Sequence, residues 1–191
     1  MNNIKTFENF NNQDIFTYIE NNNIKSVKKY IDSGYDLNIQ NNDGITPLMH
    51  ATSNNKIEIV KLLLSAGANP DKQNNNGYTA LIYAAFYNYN EIVELLINAG
   101  ANIDKQNNDG CTALICAAFN NKRNIVELLL DYHADEFILD NHDKSFYDCL
   151  NDENKEYFTQ KYPTSVYNAI SHEYKKSFTE FVKDYNIKIK K

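Results

Sequence analysis

The chain has 191 residues, 42% of them hydrophobic and 23% charged, which suits one packed domain or one short repeat array. No run of about 18 apolar residues occurs, so no membrane-spanning helix is expected. The net charge is −6; residues 164 to 191 carry six lysines against three acids, which leaves −9 on residues 1 to 163, an acidic body that argues against nucleic acid as a partner.

In chain order, Asp14 to Glu20 and Ile24 to Ser33 read as two short helices ending at Gly34. Asn42-Asp43-Gly44 then supplies a tight turn, because these residues tolerate positive φ. Thr46-Pro47 opens the next helix, roughly Pro47 to Asn54, with a hydroxyl to cap orphan amides and a proline where the missing N–H costs nothing. A further helix starts near Glu58 and ends at Gly67, where a left-handed residue is needed.

This unit then returns. Asn75-Asn76-Gly77, Thr79, a helix from Ala80 to Tyr87, another from near Glu91, and Gly100 follow at a spacing of 33 residues. Asn108-Asp109-Gly110, Thr112, a helix from Ala113 to Asn120 and another from near Asn124 follow 33 residues later. His133 replaces the terminal glycine there, which predicts a costlier and looser helix end. Asp143-Lys144-Ser145-Phe146-Tyr147 opens a last unit, with Ser145 in place of threonine and a second helix expected from Lys155 to Tyr162, stopped by Pro163. One such unit cannot bury its own apolar face, whereas stacked neighbours can.

Residues 164 to 191 fall outside this period. Val166, Ala169, Ile170, Tyr174, Ser177, Phe178, Phe181, Val182 and Tyr185 recur at three and four residue spacing, which predicts one amphipathic helix. Three readings stay open for it: a cap over the last repeat, a docking helix for a partner, or a membrane-surface helix.

The period, the Gly-x-Thr-Pro-Leu opening at Gly44 to Leu48, the Ala-Ala pairs at Ala84-Ala85 and Ala117-Ala118, the Glu-Ile-Val triplets and the Gly-Ala-Asn exits together resemble the ankyrin repeat family. The resemblance implies a mainly α solenoid of turn and helix-turn-helix units. Residues 1–163 form the array: an N-terminal capping repeat at 11–43, full repeats at 44–76, 77–109 and 110–142, a degenerate repeat at 143–163, and then the C-terminal helix or tail at 164–191. One departure is that the family's histidine after Thr-Pro-Leu is Met49, Ile82 and Ile115 here, so its hydrogen bonds near the turn are lost.

Leu48, Leu81, Leu114, Ala51, Ala84, Ala117, Leu63, Leu96 and Leu129 recur with the repeat and read as core. Position by position, the resemblance implies a protein partner on a concave face made by the turns and first helices. The candidate binding residues are the turn positions Ile45, Tyr78 and Cys111 and the helix positions Phe86, Tyr87, Phe119 and Asn120. Their aromatic members form one exposed patch if they point outward, or fill gaps between repeats if Phe86 and Phe119 fold inward.

Catalysis has little support in the sequence. His50, Tyr83, Cys116 and Cys149 share one repeat column, which places His50 and Cys116 about 20 Å apart at the usual helix spacing. Cys116 and Cys149 then lie near 10 Å, beyond disulfide reach. Cys111 and Cys116 lack the second pair of ligands that a zinc site needs, and Asp140-Asn141-His142-Asp143 reads as a polar turn. No enzyme activity, cofactor, metal or membrane is expected, and the chain is expected to be a monomer. Met1 to Lys5 lack the apolar stretch of a secretory signal, and three unpaired cysteines fit a reducing compartment, so a cytoplasmic location is expected. Heavy use of Asn, Ile and Lys, with Arg123 the only arginine, fits an AT-rich genome. A second functional reading follows from large DNA viruses and intracellular bacteria: an adaptor in host cytoplasm that brings proteins to machinery such as a ubiquitin ligase through its C-terminal helix.

Overall fold

A computed structural model describes residues 14–170, 177–185 and 187. These form a stack of helix pairs. Helices α1 (Asp14–Glu20) and α2 (Ile24–Asp32) make the first pair, and α3 (Pro47–Ser53) with α4 (Ile57–Ser65) the second. The third is α5 (Ala80–Tyr87) with α6 (Asn90–Asn98), and the fourth α7 (Ala113–Phe119) with α8 (Arg123–Asp131). Then come α9 (Asp152–Lys161), α10 (Pro163–Ile170) and α11 (Phe178–Asp184), and no strand is found among the described residues. First helices pack on first helices, α1 on α3 on α5 on α7, and second on second, α2 on α4 on α6 on α8. The array is therefore two helical layers with one continuous apolar core between them, and Leu63, Leu96 and Leu129 are fully buried in it.

Each first helix starts where its sequence provides a cap. The hydroxyls of Thr46, Thr79 and Thr112 accept from the amides of Met49, Ile82 and Ile115 at 3.2, 3.2 and 3.3 Å, and all three threonines are buried. The link to the second helix passes through a left-handed asparagine, Asn22, Asn55, Asn88 and Asn121, with φ between 51° and 67°. Asparagine tolerates that region better than other side chains. His133 also takes φ 60°, yet its helix end keeps the hydrogen bonds of the glycine-terminated one: Ala134 N donates to Leu129 O at 2.9 Å, as Ala101 N donates to Leu96 O at 3.0 Å. The end expected to be loose is as well bonded as the others.

The turns lack the family histidine and are held by a different set of side chains. The Oδ1 of Asn74 accepts from the amides of Asn76 and Tyr78 at 3.0 and 2.8 Å, and Asn41, Asn107 and Asp140 do the same in their own turns. The amide of Gln73 donates both to Gly77 O and to Gln106 O of the next repeat, a two-way bond shared by Gln40 and Gln106. Asn108 N donates to Asn76 O and Asn108 Nδ2 to Asn75 O, so successive turns are laced together by backbone and side chain. Gly77 is needed for this lacing as well as for its φ of 78°, because a Cβ there would lie 2.6 Å from the Asn108 backbone nitrogen. Asp143 occupies the same column at φ 59° and is exposed, at the last of the laced turns.

The C-terminal end departs from expectation in two ways. Residues 146–150 form turns instead of a first helix, although Ser145 is capped: its amide and hydroxyl donate to Asp148 Oδ2 at 2.8 and 2.6 Å. The following helix starts at Asp152, because Asn151 caps it by accepting from Asn154 N at 2.9 Å. Helix α9 ends at Lys161, before Pro163 as expected, and Pro163 goes on to begin α10, as suits a residue with no N–H to lose.

The single amphipathic helix expected over 164 to 191 is also corrected. Helix α11 has its own start, a capping box in which the Ser177 hydroxyl and Glu180 satisfy each other's backbone amides. Val166, Ala169, Ile170 and Phe181 are buried in the same core as the array, while Tyr174 lies outside the described residues.

Helix α9 is joined to α8 by side chains. Arg123 Nη2 pairs with Glu153 at 2.7 Å, Arg123 stacks on the Tyr157 ring at 4.6 Å, and the Tyr157 hydroxyl and Lys161 both bond Glu127. Burial works to raise the Glu127 carboxyl pKa, but the bonds from Tyr157 and Lys161 outweigh it and hold the group below its ordinary value.

Candidate functional site

The turns and first helices of repeats three and four, with Cys149 of the last unit, enclose a cleft of about 320 Å³. Its apolar wall comes from Phe86 at the end of α5 and Phe119 at the end of α7, 38% and 71% exposed respectively. Both rings point outward, and the inward, gap-filling alternative does not hold. Tyr78, Cys111, Ile115 and Cys116 line the interior, and the rim carries Asp109, Asp140 and His142 from consecutive turns.

The cleft exists because of one column. His50, Tyr83, Cys116 and Cys149 stand at equivalent positions on successive repeats. At the preceding joint the Tyr83 ring occupies the corresponding space: it lies 5.4 Å from the Tyr78 ring and 6.4 Å from the Tyr87 ring, and its hydroxyl accepts from Asn74 Nδ2 at 2.9 Å. Burial, the largest cause, holds its hydroxyl pKa above the ordinary value. One repeat later the ring is replaced by the small Cys116 side chain, and the volume it would fill stays open.

Of the residues expected at the site, Tyr78, Phe86, Cys111, Phe119 and Asn120 line the cleft. The Asn120 amide donates to Cys116 O at 2.8 Å, so it also closes the end of α7. Tyr87 is 45% exposed but stands outside the cleft, edge-on to Phe86 at 5.1 Å and stacked on Tyr89 at 5.7 Å. Ile45 is half-buried against the core at an earlier joint. The four aromatic residues expected side by side are thus two neighbouring features, a cleft with Tyr78, Phe86 and Phe119, and a tyrosine row of residues 78, 83, 87 and 89. Asp109, Asp140, His142, Asn107, Ile115, Cys116 and Cys149 also line the cleft but were not expected there.

The three cysteines are free thiols. A hydrogen bond between Cys116 and Cys111 pushes the Cys116 thiol pKa up, reinforced by burial, and draws that of Cys111 down. Burial, with Asp140 beside it, pushes Cys149 up to about 11. Among the described residues no three His, Cys, Asp or Glu side chains are placed to hold a metal ion. No helix among them is long and apolar enough to cross a membrane.

A family model described as ankyrin repeats, in three copies, matches residues 15–107, 66–142 and 93–187. No curated protein is matched by the chain. Ankyrin repeats are generally protein–protein interaction modules and typically have no catalytic activity. The helix pairs stacked at 33-residue spacing, the laced turns and the matches spanning residues 15–187 lead to one conclusion: the chain belongs to the ankyrin repeat family.

Proposed function

We propose that this protein is a non-catalytic binding module that docks a partner protein in the cleft between repeats three and four. The observation that carries this reading is the exposed pair Phe86 and Phe119 beside an open volume of about 320 Å³. Exposed aromatic side chains at a concavity are the usual anchors of interfaces, and a stiff array loses little conformational entropy when it binds. Affinity capture supplies a partner, and calorimetry then compares the native chain with the Phe86→Ala/Phe119→Ala double variant. Affinity should fall at least tenfold with the melting temperature within a few degrees of native. Unchanged affinity with an intact fold would remove the site.

The adaptor reading requires a face on residues 164–191 that the array does not use. Burial of Val166, Ala169, Ile170 and Phe181 favours a cap over the stack instead. Deleting residues 164–191 separates the two: a cap predicts a large drop in melting temperature, whereas a docking helix predicts a stable array that loses a partner.

A further inference from the structure

The rim of the cleft carries negative charge that the fold does not require. Three of the four equivalent turns are closed by an asparagine, Asn41, Asn74 and Asn107, whose Oδ1 accepts two backbone amides. The fourth uses Asp140 for the same two bonds, to His142 N at 2.8 Å and Lys144 N at 2.9 Å. An amide oxygen makes the same two bonds in the other three turns, so the turn forms without the charge. Asp109 stands at a turn tip in the column of Asp43, Asn76 and His142, where Asn76 shows that a neutral side chain suffices for the turn. Both aspartates face the cleft, and no lysine or arginine lines it. Their field reaches the interior: both act to raise the Cys111 thiol pKa, and Asp140 does so at Cys149, where Lys144 opposes it more weakly. The array as a whole is strongly acidic, at −9 over residues 1 to 163 from the −6 total less +3 on residues 164 to 191.

Two aromatic rings beside two unneutralised carboxylates describe a particular guest. A planar cation on an apolar stem stacks on aromatic faces and accepts carboxylates in a forked geometry, and guanidinium suits both better than ammonium because it is flat and weakly hydrated. A purely apolar side chain would leave the carboxylates unused, and an acidic one would be repelled.

Resting on the docking reading above, we propose that the cleft receives an arginine side chain of the partner protein, its stem beside Phe86 and Phe119 and its guanidinium against Asp109 and Asp140. The array then recognises an arginine-bearing segment, and the charge adds selectivity to the apolar anchor.

The test is a titration of the full ¹⁵N-labelled chain with the peptide Ac-Ala-Arg-Ala-amide and with its citrulline counterpart, which keeps the shape and removes the charge. Shifts should map to the amides of Phe86, Cys111, Phe119 and Asp140, and the arginine peptide should bind about tenfold more tightly than the citrulline one. Asp109→Asn/Asp140→Asn retains side chains that neighbouring turns already use, so it should fold normally and bind both peptides equally weakly. Equal binding of the two peptides by the native chain, sensitive to Phe119→Ala, would overturn the arginine assignment while leaving the docking reading standing. Absence of any shift at the cleft would overturn the assignment as well, and undiminished binding by the double asparagine variant would exclude the two carboxylates.

Discussion

The joint between repeats two and three and the joint between repeats three and four are built from the same parts and end differently. Both are capped by threonine, laced by the Gln and Asn ladder, and closed over equivalent leucines. At the first, Tyr83 lies against Tyr78 and Tyr87 and fills the space between turn and helix. At the second, Cys116 leaves that space open, and Phe119 and two aspartates surround it. The shared residues make the stack; a single change of side-chain volume makes the cleft.

If the framework is common to both joints, damage to it should cost the same at either one. Leu63→Ala and Leu96→Ala should each destabilise the chain by roughly 2–5 kcal/mol in chemical denaturation, as cavities in a continuous core. A value far smaller at one of them would mean that the two joints are packed differently. Gly77→Ala should cost about 1–3 kcal/mol, from a disfavoured backbone and the contact with Asn108, and Gly44→Ala the same. Asp143→Gly, in the same column at the edge of the ladder, should be neutral or stabilising by no more than about 1 kcal/mol.

Chemistry should separate what stability leaves equal. Cys111, with its pKa drawn down and its side chain half-exposed, should react with iodoacetamide before Cys116 and Cys149, whose pKa values are pushed up. Mass spectrometry of partly labelled protein reads the order, and a bound partner should protect Cys111. Faster labelling at Cys149 would contradict the description of the cleft.

The smallest effect belongs to the first ring of the same column. Burial lowers the His50 pKa, with Glu20 at 3.6 Å opposing it. A depressed folded-state value means that the unfolded chain takes up the proton first. The stability tied to neutral His50 is therefore complete above the ordinary histidine value of about 6.5 and is lost as pH falls through the lower folded value. His50→Gln should flatten that slope in melting temperature between neutral and mildly acidic pH. An unchanged slope would place the proton uptake elsewhere.

Most of the stack was legible in the residues, because its determinants are local and recur: Thr46, Thr79 and Thr112 cap, Gly44, Gly77 and Gly110 turn, and the leucines repeat. The turn ladder was less so, since Gln73 and Asn108 act on neighbouring repeats 33 residues away and look like ordinary polar surface in the chain. The C-terminal unit misled because a serine cap admits two outcomes: after Ser145 the chain forms turns where the other repeats place a helix. Phe86 and Phe119 were visible as irregular members of a column, but the cleft was not. A cleft is the absence of a ring, and Cys116 becomes informative only beside Tyr83 in three dimensions.

Cys116→Tyr tests the central claim most directly, because it restores at the second joint the ring that fills the first. Calorimetry with a captured partner should show binding lost or reduced at least tenfold, while circular dichroism and the melting transition report a folded array. Full affinity in a folded Cys116→Tyr chain would contradict the assignment of this cleft as the docking site.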